Sequence, residues 1–374
     1  MKIYLDNAAT TQTDKRVLEE IKRVSLENYG NSSSLHSMGQ NALEEMEKAR
    51  KTVAGILGAK PNEIYFTSGG SESNNTAIKS VGKKKLIVSS IEHPSVLRTA
   101  EYLKGKELFL VPVDEKGIIK IDGLEKELNA ETGLVSVMHS NNEIGTIEPI
   151  KEIAELCGEK KVLFHSDIVQ SVGKMNLNLH ELGVDFASVS GHKFNGPKGV
   201  GVLYVKEGTK LEPLIHGGGQ EKRLRSGTEN IPGIVGLSKA LELAYENLEE
   251  KMQKQKKLRD KLISGLSTIE KSKLNGHETK RLPNNVNFSF FGVEGESLIT
   301  LLDFEGIEAS TGSACSSKSL KISHVLKAIG LEHVWAHGSL RLSLGKNNSE
   351  KEIDLALKVI PEVVEKLRSV SAVR

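Results

Sequence analysis

The stretch Ser188–Gly201, SVSGHKFNGPKGVG, decides how this chain reads. One lysine, Lys193, stands between an apolar β-like run and a loop carrying Gly196, Gly199 and Gly201. A lysine in a turn is ordinarily a solvated surface residue. Here it also has the setting of an amine that leaves bulk water, loses part of its charge and attacks a carbonyl. Upstream, FHSDIVQS (Phe164–Ser171) sets Asp167 at the end of a second apolar run. In a parallel sheet the carboxyl ends of such strands open into one crevice. An amine and a carboxylate in one crevice are the two protein groups that pyridoxal phosphate needs. The lysine holds its aldehyde, and the carboxylate keeps its pyridine nitrogen protonated so that the ring accepts electrons.

Length and composition bound the rest. The chain has 374 residues, too long for one small core and about right for two domains. Lys plus Arg number 51 against 49 Asp plus Glu, a formal charge of +2. No basic excess exists to neutralise phosphates, which argues against a general nucleic-acid surface but not against a local contact with RNA or a carrier protein. The two cysteines, Cys157 and Cys315, have neither disulfide nor zinc spacing, and point to a reducing, cytoplasmic compartment. The start, MKIYLDNAATT, has no apolar signal core, and no stretch approaches the ~18 apolar residues of a membrane helix.

Along the chain, short apolar runs alternate with helical periodicity. Lys2–Leu5 reads as a strand and Asp14–Asn28 as a helix with Asp14 as its cap. Tyr29–Gly39, YGNSSSLHSMG, is a polar loop, either a surface turn or the holder of a small polar ligand, and Asn41–Leu57 is helical. Glu63–Phe66 is a strand that runs through Thr67-Ser68-Gly69-Gly70-Ser71-Glu72-Ser73 into a helix reaching Lys79. That turn is a ready anion site at a helix start, or simply an ordinary capped helix. Neither G-x-x-x-x-G-K-[ST] nor G-x-G-x-x-G occurs in it, which weighs against a nucleotide triphosphatase or a dinucleotide enzyme. Four apolar runs then end in polar residues: Leu86–Ser90 before His93, Leu134–His139 before Asn142, Val162–His165 before Asp167, and Phe186–Ser190 before Lys193. Val200–Val205 adds a strand that pairs antiparallel or at an edge. Val96–Leu103, Ile150–Glu159 and, more weakly, Gln170–Leu182 read as helices.

Beyond the sheet, LIHGGGQEKRLRSG (Leu214–Gly227) and Thr228 form a glycine-rich loop, either a surface loop or an arm toward a neighbouring subunit. Ile231–Ser267 is a mostly helical, charged stretch, and a division near Glu250 gives a large unit of 15–250 and a smaller α+β unit of 1–14 and 251–374. In the latter, Asn285–Phe291, Ile307–Ser310 and Gly338–Leu344 are strands, Gly295–Leu302 and Ser323–Ile329 are helices, and Glu350–Val370 is a helix with a kink or break expected at Pro361. Arg341 is either a solvated edge residue or a fork for a carboxylate. Cys315 lies in STGSACSS, where small neighbours suit an exposed, reactive thiol, although an inert cysteine is the default for a single residue. His93 is either a hydrogen-bonded structural histidine or a group that stacks on a cofactor ring and shuttles protons.

Taken together, GNSSSLH, FTSGGSES, EHPSV, NNEIGT, HSDIVQSVGK, SGHKFNGPKGVG, HGGGQEKRLRSGT and STGSACSS resemble the cysteine desulfurases of the NifS/IscS type. These are class V aminotransferase-like, fold-type-I pyridoxal-phosphate enzymes. The resemblance runs over nearly the whole length. It implies an α/β fold with a large, seven-stranded, mainly parallel sheet domain and a smaller α+β domain. It also implies conversion of L-cysteine to L-alanine, with sulfur carried as a persulfide for iron–sulfur assembly or tRNA thiolation. On this resemblance Lys193 is the Schiff-base lysine and the base for the Cα proton, Asp167 pairs with the pyridine nitrogen, and Gln170 meets the ring hydroxyl. His93 stacks on the ring. Gly70, Ser71, Ser190 and His192 hold the phosphate, with Thr228 from the second subunit of a homodimer. Asn142 sits beside cofactor and substrate, Asn31 and Arg341 bind the substrate carboxylate, and Cys315 is the nucleophile. The expected acceptor is an iron–sulfur scaffold or a tRNA-thiolation protein, and no metal is implied. The competing readings are a selenocysteine lyase, another fold-type-I pyridoxal enzyme, or a catalytically silent scaffold with this fold.

Overall fold

The apolar runs that end in polar clusters gather into one large sheet. The computed structural model describes residues 2–80, 82–312 and 322–371. In chain order the strands are β1 (Ile3–Tyr4), β2 (Ile64–Thr67), β3 (Lys85–Ser89), β4 (Glu107–Val111), β5 (Thr132–Ser136), β6 (Leu163–Asp167), β7 (Phe186–Ser190) and β8 (Gly201–Val205), followed by β9 (Ser272–Leu274), β10 (Asn285–Phe290), β11 (Ile307–Glu308) and β12 (Ser339–Ser343). Seven of them form a sheet of order β2-β8-β7-β6-β5-β3-β4. The pairs from β4 across to β7 are parallel, and β8 runs antiparallel to both β7 and β2.

Alternation along each strand covers both faces. Ile87, Val135, Phe164, Val189 and Val202 point into one core with the helices Lys15–Glu27, Ser37–Leu57 and Ile231–Tyr245. Their neighbours Leu86, Val88, Leu134, Phe186 and Leu203 point to the other face, under Ala77, Ile78, Val96 and Ala100. A sheet buried on both faces reads as continuous apolar runs rather than as an alternating pattern, which is what these strands show. A separate core unites Ile3 and Leu5 with Leu258, Leu262, Phe288, Leu302, Leu340, Ile353 and Val364. It is built on the three-stranded sheet β12-β10-β9 and the pair β1-β11.

Strand β8 is antiparallel, one of the two readings given for it, and internal, since β2 adds beyond it. Four local features differ from expectation. Strand β4 falls outside the runs recognised by their polar ends; it is the exposed edge, with Glu107 and Leu110 solvent-facing. The expected helix Gln170–Leu182 shrinks to Leu179–Leu182. Gly173 at φ 72° breaks it, and a Cβ there would lie 2.8 Å from Phe194 Cβ and 2.9 Å from Ala244 Cβ, so the turn is pressed against the lysine loop. The stretch Ile231–Ser267 is two helices, Ile231–Tyr245 and Leu248–Leu266, separated by Asn247 in the left-handed region at φ 52°. Pro361 does not break its helix: Glu350–Val370 is continuous, with Ile360, Val363 and Val364 held in the second core.

Candidate active site

Strands β6 and β7 lie side by side and parallel, with Asp167 opposite Ser188. Asp167 therefore ends β6 at the edge formed by the strands' carboxyl ends, where β7 delivers Ser190 and the tight turn Gly191–Lys193. Lys193 Nζ, half-buried, donates to the carbonyls of Ala8 at 2.6 Å and Ala9 at 2.7 Å. The N-terminal DNAATT segment is stitched beneath this turn. The His192 carbonyl accepts from the Thr11 N–H at 3.0 Å and from Thr11 Oγ1 at 2.7 Å. His192 Nδ1 lies 3.0 Å from Thr10 Oγ1. Burial, reinforced by Lys193, Lys198 and Lys174, pulls the His192 imidazole down to about 4.

Asp167 is buried and belongs to a hydrogen-bonded chain. Its Oδ1 accepts from the Val169 N–H at 3.0 Å, and its Oδ2 from Asn74 Nδ2 at 2.7 Å. Asn74 Nδ2 also donates to Ser95 Oγ at 2.8 Å, and Ser95 Oγ lies 2.8 Å from His93 Nδ1. The Ser95 N–H donates to the same Nδ1 at 3.1 Å, because His93 caps the helix Pro94–Tyr102. An Nδ1 that accepts a backbone N–H assigns the neutral ring its proton at Nε2. Burial lowers the His93 pKa, against the opposing pull of Asp167, so the neutral ring dominates near pH 7.

The Gly/Ser turn also faces this edge. Gly69, at φ 149°, caps the helix Gly70–Lys79. A Cβ on Gly70 would meet Val169 Cγ2 at 2.9 Å and Ser190 Cβ at 3.6 Å, and one on Gly201 would lie 2.6 Å from Gly69 Cα. The bare backbone therefore comes close to Ser190 and Val169, leaving the first-turn N–H groups of Gly70 and Ser71 at the strand ends. Ser71 is exposed and Ser190 buried.

Arg341 is buried despite lying on the edge strand β12. Its Nη2 donates to Asp6 Oδ1 at 2.8 Å and its Nη1 to the Asn142 carbonyl at 3.0 Å, while buried Nε has no partner among the described residues. Its backbone pairs with Ser310, at one flank of the segment that carries Cys315. Cys315 itself lies outside the described residues. Asn31 is exposed, and its Oδ1 accepts from the Ser33 N–H at 2.9 Å; no hydrogen bond between it and Arg341 is seen. Thr228 is also exposed. Among the described residues, no helix is long and apolar enough to cross a membrane, and no cluster of His, Cys, Asp and Glu has metal-binding geometry.

The aminotransferase class-V family model matches residues 3–356. The chain is 50% identical to cysteine desulfurase IscS of Methanosarcina thermophila over 377 residues, covering 99% of this chain and 93% of that one. The chain belongs to the class-V aminotransferase family, with the cysteine desulfurases. It superposes on the solved structure of a NifS-like protein with a TM-score of 0.92 at 44% identity, over 98% of this chain and 100% of that one. A structure described as SspA in complex with cysteine matches with a TM-score of 0.83 at 36% identity, over 93% of this chain and 100% of that one.

Several residues of this desulfurase-family site escape a reading by motif. Asn74, directly after FTSGGSES, and Ser95, inside EHPSV, connect Asp167 to His93, yet neither residue type carries a chemical signal of its own. Asp6 and the carbonyls of Ala8 and Ala9 become site groups only because the first strand returns beside β12, with Asp6 bridged to Ser343. Glu143, buried and raised in pKa by that burial, accepts from Ser323 Oγ at 2.5 Å, so it touches the far flank of the Cys315 segment.

Proposed function

We propose that the protein is a pyridoxal-phosphate-dependent cysteine desulfurase that converts L-cysteine to L-alanine and carries the sulfur on Cys315. The observation that supports this best is the convergence of Lys193, Asp167 and His93 at the carboxyl ends of the sheet strands beside the Gly69-Gly70-Ser71 turn. The crevice suits the cofactor. A buried carboxylate held by two N–H donors retains lone pairs for a pyridinium, a glycine turn that opens a ten-residue helix with bare backbone N–H groups beside Ser190 suits a phosphate, and a lysine on carbonyl oxygens lies close by.

When bound, pyridoxal phosphate supplies an electron sink that weakens the bonds at the substrate Cα and Cβ. Lys193 Nζ would hold the aldehyde end of the cofactor and would move the Cα proton. Asp167 keeps the ring nitrogen protonated, and the Asn74–Ser95 chain holds the His93 ring with its Nε2–H free to stack and relay a proton. Gln170 donates to the ring hydroxyl; Gly70, Ser71, Ser190 and His192 hold the phosphate. Arg341 binds the substrate carboxylate with Asn31, while Asn142 borders cofactor and substrate. The Cys315 thiolate attacks the substrate sulfur. A persulfide forms, the C–S electron pair stays with the three-carbon fragment, and protonation releases it as alanine.

The working form is a homodimer in which Thr228 of the partner subunit completes the phosphate site. Residues 15–250 form the cofactor-binding unit, and 1–14 with 251–374 the unit that carries Cys315. An iron–sulfur scaffold or a tRNA-thiolation protein takes the sulfur.

The test is alanine and sulfide release from L-cysteine, with reductant and added pyridoxal phosphate, for wild type and Cys315→Ala. Equal amounts of both products from wild type alone are expected. Full turnover by Cys315→Ala refutes the persulfide route, and strong preference for selenocysteine makes the protein a lyase. Mixing Lys193→Ala with Thr228→Ala subunits tests sharing: a mixture whose cofactor affinity matches a parent in every subunit speaks against it.

A further inference from the structure

Lys174 ends the motif HSDIVQSVGK, four residues after Gln170. Its side chain is buried, and Nζ donates to the Gln170 backbone carbonyl at 2.9 Å and to Gln170 Oε1 at 3.2 Å. The Gln170 Nε2 end donates to the Ala8 carbonyl at 2.9 Å. The same carbonyl accepts from Lys193 Nζ at 2.6 Å. Lys174 thus connects to Lys193 through one side-chain amide and one backbone oxygen.

The two ends of an amide have nearly the same shape, and only their partners decide which faces where. A lysine ammonium can only donate, and a carbonyl can only accept. Reversing the Gln170 amide would set its oxygen against the Ala8 carbonyl, a repulsive contact at any pH, and its N–H groups against Lys174, repulsive while Lys174 is charged. We propose that Lys174 is a positioning residue that locks the Gln170 amide with its N–H donors facing Lys193 and the cofactor crevice. This rests on the reading of that crevice as a pyridoxal-phosphate site, in which Gln170 must donate to a ring hydroxyl.

Charge gives no stability reason for an amine at this position. Burial, reinforced by the cations Lys193 and Arg341, holds the Lys174 pKa down to about 7. Lys174 in turn disfavours the charged form of His192, the other titratable group facing it. Methionine would fill much the same volume without a buried charge, while leaving the Gln170 carbonyl and Oε1 without this donor. What methionine cannot do is hold Oε1.

The experiment titrates apo-protein with pyridoxal 5′-phosphate, followed by visible absorption, for wild type, Lys174→Met, Gln170→Ala and the double variant. The loss of one hydrogen bond predicts affinity about fivefold to tenfold weaker for Lys174→Met. If Lys174 acts through Gln170, the double variant binds no more weakly than Gln170→Ala alone, and the absorption band of both single variants titrates with the same pH displacement from wild type. Losses that multiply in the double variant, or wild-type affinity in Lys174→Met, overturn the inference. Gln170→Glu provides a test that leaves Lys174 in place: its carboxylate still accepts from Lys174 but has no donor for the crevice. It is expected to bind as poorly as Gln170→Ala, and wild-type affinity there overturns the inference as well. Failure of wild type to bind pyridoxal phosphate would sink the proposed function and this inference together, whereas wild-type binding with multiplying losses sinks this inference alone.

Discussion

Arg50→Met is expected to destabilise the protein by about 3–5 kcal/mol, because it strands a buried carboxylate. Arg50 and Glu221 form a two-pronged ion pair with both side chains 2% exposed, at 2.7 Å and 2.9 Å. Glu221 also accepts from the Phe66 N–H at 2.8 Å. Arg50 donates to the Ile64 carbonyl at 2.7 Å, with its guanidinium 4.8 Å from the Phe66 ring centroid. The pair thus pins the glycine-rich loop to β2. That loop needs pinning: Glu221, Lys222 and Arg223 have φ of 45°, 56° and 72°, and left-handed non-glycine residues cost of order 1 kcal/mol each or more. Restoring charge balance in Arg50→Met/Glu221→Leu removes the stranded carboxylate. It should recover most of the loss, short of about 1–2 kcal/mol for the Phe66 N–H left without its partner. Urea unfolding at pH 7 and one fixed protein concentration measures both variants through the midpoint at unchanged slope. A loss below about 1 kcal/mol in Arg50→Met, or a double variant as unstable as the single one, would falsify this account.

Asp167→Ala removes the acceptor of Asn74 and Val169, and its expected outcome is faster loss of pyridoxal phosphate on dialysis and slower exchange of the substrate Cα proton in deuterium oxide; wild-type exchange would count against its assignment. Below pH 7, Lys174→Met is expected to raise the melting temperature of apo-protein, because relief of the buried charge outweighs the two hydrogen bonds lost from the Gln170 carbonyl and Oε1. The Lys174 pKa is about 7 in the fold against an ordinary value of 10.5, so between those values the unfolded chain binds a proton that the fold does not, and wild-type stability rises with pH across that window. The advantage of methionine is therefore greatest below pH 7, at most roughly 5 kcal/mol, and shrinks toward pH 10; a melting difference independent of pH contradicts the sign. Burial pushes the Cys157 thiol up to about 12, so iodoacetamide at pH 8 should leave Cys157 unmodified in native protein and alkylate it after denaturation, as read by peptide mass spectrometry.

The large sheet was legible because strands buried on both faces appear as uninterrupted apolar runs, and because polar residues at their ends mark a crevice wherever parallel strands stop. Lys193, Asp167 and His93 were visible for that reason: each follows such a run, and each residue type has its own chemistry. Helix ends were legible where a side chain caps them, as Asp14 does by accepting from the Arg16 N–H. Where a local backbone choice depended on a distant neighbour, the pattern misled. Gly173 keeps the stretch before Leu179 from becoming a helix because its left-handed turn is packed against Phe194 and Ala244, and Pro361 stays helical because the core holds both sides of it.

The sequence by itself determined the alternation of elements, the chemical types available at the strand ends and the family to which they belong, since these depend on residue identity and local periodicity. Only the tertiary structure decided the partners: that Asn74 and Ser95 join Asp167 to His93, that the Ala8 carbonyl receives both Lys193 and Gln170, and that Asp6 meets Arg341 from more than three hundred residues away. The physical reason is that a hydrogen bond or an ion pair requires two groups within about 3 Å. Residue identity shows which groups can pair, and only the closed fold brings a given two together.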